Sequence, residues 1–359
     1  MKEILFIPTI VISLFALTCK KEPPLVVPDH PTHPIFAWTI DTIRNPYPDS
    51  QLLLGSIWGT SESNVYSCGF NGVGAATLWH FDGTVWKEVK INASEGGLIQ
   101  GAIYLTAIRG FNANDIWAVG DKGIQSSSPP YRADSSAIIH FNGSNWTEIQ
   151  ITRGAVLNNV TCVLPVEVYA VSAKGEVFEY DGTEWRRHQI DSSASLFSVG
   201  GDSQRQFIGG YHYMFPNSYY DIYSRDVDGN WVEKDKISEV DNQISPKFGF
   251  NFYPLGGSRY FASGYGIFLL TDTVWTREYQ DGYYYSAMNG TAGDNIYAVG
   301  PVKRAIHWNG NDWATLGIPD NLDNTLSFTG VWATQTEVFI CAGGSQFDMS
   351  VILHGKKQN

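Results

Sequence analysis

His80, His140, His307 and His354 are the side chains best suited to move a proton or hold a metal near neutral pH. All four stand at one place in a repeated phrase, on a strand two residues before a turn, and four equivalent positions in four repeats cannot converge on one site. They are expected to be framework residues, each with a hydrogen-bond partner that explains its type. The aspartates and asparagines of the same phrase are turn formers first. Asp226-Val227-Asp228 offers oxygen to calcium, but roughly six to eight ligands are needed and the sequence does not assemble them. There is no phosphate-binding Gly-Lys-Ser/Thr loop, His-Glu-x-x-His helix or Gly-x-Ser-x-Gly elbow. Arg186 and Arg187 fall on an outer strand and Arg109 on an inner one, which makes no evident arginine triad. No catalytic residue, metal or cofactor is therefore expected.

What remains is tyrosine. Tyr131 follows Pro129-Pro130; Tyr211, Tyr213, Tyr219 and Tyr220 crowd the run from Tyr211 to Asp221; Tyr283 and Tyr284 follow Asp281-Gly282. Each puts a flat apolar ring with a polar tip into a connection between strands. Loops this aromatic are costly to leave in water unless they pack together or bind something. Such rings suit stacking on sugars or gripping a protein, so these seven tyrosines are the candidate ligand-binding residues.

The elements that hold them follow from one repeat. Its clearest copy is Asp115-Ile116-Trp117-Ala118-Val119-Gly120 with Ile138-Ile139-His140-Phe141-Asn142-Gly143-Ser144-Asn145-Trp146. The phrase returns from Asn64 to Trp86, from Glu167 to Trp185 and from Asn295 to Trp313, with weaker copies closing at Trp231 and Trp275. Alternating residues fit strands buried on one face, Asp-Gly and Asn-Gly supply the positive φ of a type I′ hairpin turn, and tryptophan opens the outer strand. Copies lie roughly 38 to 60 residues apart, the period of a four-stranded propeller blade. Six tryptophans close six blades. Thr329 to Trp332, Glu337 to Gly343 and Val351 to His354 match the first three strands of another, and Phe36 to Ile43 reads like its missing outer strand. The chain is thus expected to be all-β, a seven-bladed β-propeller with six or eight blades as alternatives, closed by an N-terminal strand that completes the C-terminal blade. That closure removes two exposed sheet edges. Connections from second to third strands and from blade to blade leave on one face of the disc, so the seven tyrosines should share that face near the channel mouth.

In blade length and in the turn followed by tryptophan, residues 35–359 resemble bacterial propellers of the kelch and Asp-box kinds. Glycine here follows aspartate directly, whereas the Asp-box pattern places it two residues on, and the kelch Gly-Gly after the second strand occurs only at Gly209-Gly210 and Gly343-Gly344.

Met1-Lys2 and the apolar run from Ile4 to Leu17 make a signal peptide over residues 1–18, too short to span a bilayer stably. Leu17-Thr18-Cys19 resembles the lipobox of bacterial lipoproteins, which implies a diacylglyceryl group on Cys19 and a place in the cell envelope, at the outer membrane, facing either the periplasm or the surface. Residues 19–34, rich in proline, form a tether. Cys68, Cys162 and Cys341 are left as an odd set, expected to be buried free thiols. A net charge of -12 without a basic cluster argues against nucleic acid or an anionic membrane surface as partner, leaving the lipid anchor as the membrane contact. The function these features suggest is a non-catalytic binding or scaffolding module for a glycan or a protein. The alternative is a carbohydrate-active enzyme, a glycoside hydrolase or polysaccharide lyase, with acids on the insertion face; the fold alone supplies no activity.

Overall fold

The computed structural model describes residues 32–47, 50–75, 77–125, 132–149, 155–164, 166–214, 218–238, 248–343 and 348–358. The signal peptide, Cys19, most of the tether and Tyr131 lie outside them. Within them the chain forms seven antiparallel sheets, the blades of a β-propeller. Blade 1 is Leu52–Ser61, Asn64–Asn71, Leu78–Phe81 and Trp86–Glu88; blade 2 is Ala102–Asn112, Asp115–Gln125, Arg132–Phe141 and Trp146–Glu148. Blade 3 is Leu157–Val163, Glu167–Ser172, Glu176–Tyr180 and Trp185–Gln189; blade 4 is Ser195–Gly201, Gln206–His212, Tyr219–Arg225 and Trp231–Ser238. Blade 5 is Phe248–Gly256, Arg259–Thr271 and Val274–Tyr284; blade 6 is Ala287–Ala292, Asn295–Gly300, Arg304–Trp308 and Trp313–Thr315. Blade 7 is Ser327–Ala333, Glu337–Gly343 and Met349–Lys357, with Phe36–Arg44 as its outer strand. The first strands pack side by side around the ring, and the second strands are buried over most of their length, Asn295–Gly300 at every residue.

The closing strand pairs with Met349–Lys357 in unbroken register from Phe36↔Lys357 to Arg44↔Met349. Trp38 lies flat over Gly355, where a Cβ would stand 2.8 Å from the indole, so glycine is required for the approach. The Trp38 indole N–H donates to Gly317 O at 2.7 Å, and Ile43 is buried at the far end of the strand.

Two local expectations are corrected. The Asp-Gly and Asn-Gly turns are not type I′, because only the glycine takes positive φ (94° at Gly83, 87° at Gly143). The preceding carboxylate or amide instead caps the turn: Asp82 Oδ1 accepts from the backbone N–H of Thr84 and of Val85, each at 3.0 Å, and Asn142 Oδ1 does the same for Ser144 and Asn145. An aspartate that spends its oxygen on two amides stays in its ordinary backbone region. Blade 5 departs as well. Trp275 lies on its third strand rather than a fourth, because Thr271 pairs directly with Val274 across Asp272 (φ 58°) and Thr273.

The inner strands interlock through one position. In most blades the register slips by a residue early in the first strand, which leaves one extra residue there, and Gly55, Thr106 and Thr329 at such slips line the channel. Thr106 Oγ1 there donates to Leu157 O of the next blade at 2.6 Å, Asn158 Nδ2 to Leu196 O at 2.7 Å, Ser286 Oγ to Phe328 O at 3.3 Å and Thr329 Oγ1 to Leu54 O at 2.8 Å. Each bond ties the inner end of one blade to the first strand of the next.

The repeated histidines have the partners their type called for. His80 donates from Nε2 to Asn64 at 2.7 Å, His140 to Asp115 at 2.9 Å, His307 to Asn295 at 3.1 Å and His354 to Glu337 at 2.6 Å, always to the first residue of the second strand. Each ring also lies against an aromatic two residues further along that strand: Tyr66, Trp117, Tyr297 and Phe339. Burial, with His33 alongside, pushes His307 down to about 3. Between that value and about 6.5 in the unfolded chain, the unfolded state binds the extra proton, so stability falls as pH drops through this window. Lys357 and Asp312 are the other charges facing the ring. His307→Gln, compared with wild type by denaturant melts from pH 7 to 4, should remove a slope approaching about one proton; parallel slopes would contradict the assignment.

Candidate functional site

The channel itself is narrow and polar. Gly55, Ser56, Thr106, Arg109, Asn159, Asn251, Ser286 and Thr329 line a cavity of about 60 Å³, room for a few waters. Arg109 is held there by Ile108 O at 2.8 Å, and burial lowers its pKa. Cys68 and Cys341 are buried free thiols nearby, the latter pushed up to about 11 by burial; Cys162 is also free but half-buried. None of these is an ionised nucleophile at neutral pH. A ligand of ordinary size must therefore sit at a mouth of the channel.

At that mouth the ring is asymmetric. Where blades 2, 3, 6 and 7 carry Thr106, Asn158, Ser286 and Thr329 at the position that bonds to the next blade, the register slips of blades 4 and 5 hold Phe197 and Phe250. Their rings lie 5.4 Å apart. Tyr220 packs on both, at 6.1 Å from Phe197 and 5.8 Å from Phe250, and Tyr211 lies 4.9 Å from Tyr220, its cross-strand partner. Phe250 then meets Tyr284 at 6.0 Å, which lies 4.9 Å from its own cross-strand partner Tyr265. The result is a connected patch of six rings over blades 4 and 5, every one half-buried and so retaining an open face.

The candidate tyrosines divide accordingly. Tyr211, Tyr220 and Tyr284 come together in this patch. Tyr219, adjacent to Tyr220 on a strand, points to the other side of the sheet and stacks on His212 at 4.3 Å. Tyr283 turns to blade 6, where the Arg304 guanidinium lies 3.5 Å over its ring. Tyr213 stands 78% exposed. Tyr131 lies outside the described residues. Strand continues into both insertions, through Gln125 and from Arg132 in the first, and over Tyr211, His212 and Tyr219 to Asp221 in the second, which is why Tyr211 and Tyr220 are held in fixed register. Phe197, Phe250 and Tyr265 escape a reading of loops because they lie within strands.

Larger clefts exist on blades 1 and 2, of about 360 and 440 Å³. The first is walled by Lys122 and Glu148, which satisfy each other at 2.6 Å; neither gathers an aromatic patch or a set of converging charges.

Fold and mouth together define a seven-bladed β-propeller with one aromatic side. No protein-family profile matches the sequence, and comparison with curated proteins finds no match. Among solved structures the chain is similar to YCF48 bound to D1 peptide, at 13% identity and TM-score 0.58 over 91% of this chain and 100% of that one. It is also similar to the WD40 β-propeller domain of Doa1, at 11% identity and TM-score 0.57 over 89% of this chain and 97% of that one. At these identities the likeness is one of fold. It extends the propeller reading to the whole disc and does not reach the kelch or Asp-box kinds.

Proposed function

We propose that this propeller is a non-catalytic binding module that grips an extended segment of another protein at the aromatic mouth of blades 4 and 5. The observation that carries the reading is the replacement of hydrogen-bonding residues by Phe197 and Phe250 in the first strands of blades 4 and 5, continued outward by four tyrosines. Exposed aromatic clusters of this kind act as binding anchors, since rings bury much area at little entropic cost. The rings meet at steep angles, 80° between Phe197 and Tyr220 and 85° between Tyr220 and Phe250. Sugars stack on flat platforms, whereas clefts between tilted rings suit apolar side chains. Asn251, in the channel lining, stands alongside to meet peptide groups of a bound strand. The similar YCF48 structure holds a peptide, which supports a protein partner here.

A random-peptide display selection run beside a glycan array tests this directly. Enriched peptides sharing two or more apolar side chains support the reading; glycan hits without peptide enrichment overturn it, and turnover of such a glycan would favour the enzyme alternative.

The same module would work at the cell envelope, held by a lipid on Cys19 through the proline-rich tether, as the lipobox-like Leu17-Thr18-Cys19 suggests. Cys19→Ala should release the protein from membranes or leave unprocessed precursor. A variant that fractionates and migrates as wild type does would refute the anchor.

A further inference from the structure

Asp191 lies in the connection from blade 3 to blade 4, His212 ends the second strand of blade 4, and Asp221 lies on its third. One donor atom of each lies within 4.8 Å of the others. His212 and Asp221 are each 1% exposed, while the Asp191 side chain is 26% exposed. Two carboxylates gathered at this depth are costly unless compensated. Among the described residues their ion pairs are with His212 alone.

The protons can be followed. A carboxylate only accepts, so Ser193 Oγ spends its proton on Asp191 Oδ1, 2.7 Å away. Its lone pair then accepts from His212 Nδ1–H at 3.1 Å. That turns Nε2 towards Asp221 Oδ2 at 2.5 Å and Asp191 Oδ2 at 3.4 Å. Despite the short approach, Nε2 makes no hydrogen bond of proper direction, and Asp221 Oδ1 has no partner either, although both are buried. The Tyr223 hydroxyl has one proton for two carboxylates, at 3.0 Å from Asp221 and 3.2 Å from Asp191. Lone pairs converging without donors call for a cation among them.

We propose that Asp191, His212 and Asp221 form a binding site for a divalent first-row metal ion, zinc fitting best. Donors on a tetrahedral zinc, with bonds of about 2.0–2.2 Å, stand roughly 3.3 Å apart, and the separations here bracket that spacing. Imidazole with two carboxylates suits zinc over calcium or magnesium, which take oxygen alone. Ser193 fixes the ring and its tautomer from behind, as outer partners of metal-bound histidines do. The exposed edge of Asp191 gives the ion a way in and leaves room for water as a fourth ligand. The ion ties the connection between blades 3 and 4 to the hairpin whose other side carries Tyr211 and Tyr220.

Zinc titrated into the untagged full chain, stripped beforehand with a chelator, should bind at about one equivalent and raise the melting temperature by several degrees. Asp191→Asn, chosen for its partial exposure, should weaken binding at least about tenfold while the metal-free protein melts as wild type does. Ser193→Ala should weaken it by a smaller factor. Absence of zinc binding, unchanged binding in Asp191→Asn, or identical melting in zinc and in chelator would overturn the proposal.

Discussion

Deleting residues 35–43 should lower the melting temperature by on the order of 10 °C or leave an aggregating chain. The deletion removes eight of the nine pairings that this strand makes with blade 7, from Phe36↔Lys357 to Ile43↔Ser350, and leaves only Arg44↔Met349. The strand buries Ile43, covers Gly355 with Trp38, and joins blade 7 to blade 1 through the Trp86 indole, which donates to Asp41 Oδ2 at 3.2 Å. Fully burying one large apolar side chain contributes about 1.5–3 kcal/mol. Phe36 and Trp38 are only partly covered, so together with Ile43 the loss is about 3–5 kcal/mol before the exposed edge of Met349–Lys357 is counted. Trp38→Ala is the milder form of the same test and should fall between wild type and deletion. A deletion variant that melts with wild type would mean that the ring is held shut elsewhere.

The second large effect concerns binding. Tyr220→Ala combined with Tyr284→Ala should weaken a captured peptide by about 1–3 kcal/mol, roughly five- to 150-fold, because the two rings bracket Phe250 from blades 4 and 5. Both retain an open face, so melting should shift by only a few degrees. Tyr213→Ala is the control: the ring is 78% exposed and stands apart from the patch, and its loss should change neither quantity. If the double replacement instead lowers the melting temperature with binding intact, the six rings are a packed lid. Pairing Tyr219 with Tyr220 would blur the result, since Tyr219 rests on His212 on the other side of the sheet.

The propeller was legible in the sequence because each blade repeats a local phrase whose parts do local work: a buried second strand, a capped turn, a tryptophan opening the next strand. Blade 5 escaped because Thr271-Asp272-Thr273-Val274-Trp275 resembles the other turns in sequence, yet a tight two-residue turn after a 13-residue strand leaves one strand fewer. The turn type is hidden because Asp-Gly reads as a pair of positive φ angles, while the aspartate side chain satisfies the amides and only glycine needs the unusual region.

Half of the mouth was legible, and for a physical reason. Tyr211, Tyr220 and Tyr284 stand out as aromatic residues in connections, but Phe197 and Phe250 look like ordinary core residues until inner strands are aligned on their register slips. Set beside Thr106, Asn158, Ser286 and Thr329, the two phenylalanines are the anomaly. The Asp191, His212 and Asp221 cluster depends on a diagonal across a hairpin and on a connection some twenty residues upstream, which no spacing rule displays. The visible sign was a histidine at the end of a strand, outside the repeated position of the other four.

The most direct measurement replaces Phe250 with a benzophenone photo-crosslinker and irradiates the full chain with a peptide taken from the display selection. Crosslinking is expected at this position and at Tyr284, competed away by unlabelled peptide, and none from a crosslinker placed at Val302 on blade 6. Crosslinks that avoid blades 4 and 5, or that persist unchanged in the presence of competitor, would contradict binding at this mouth.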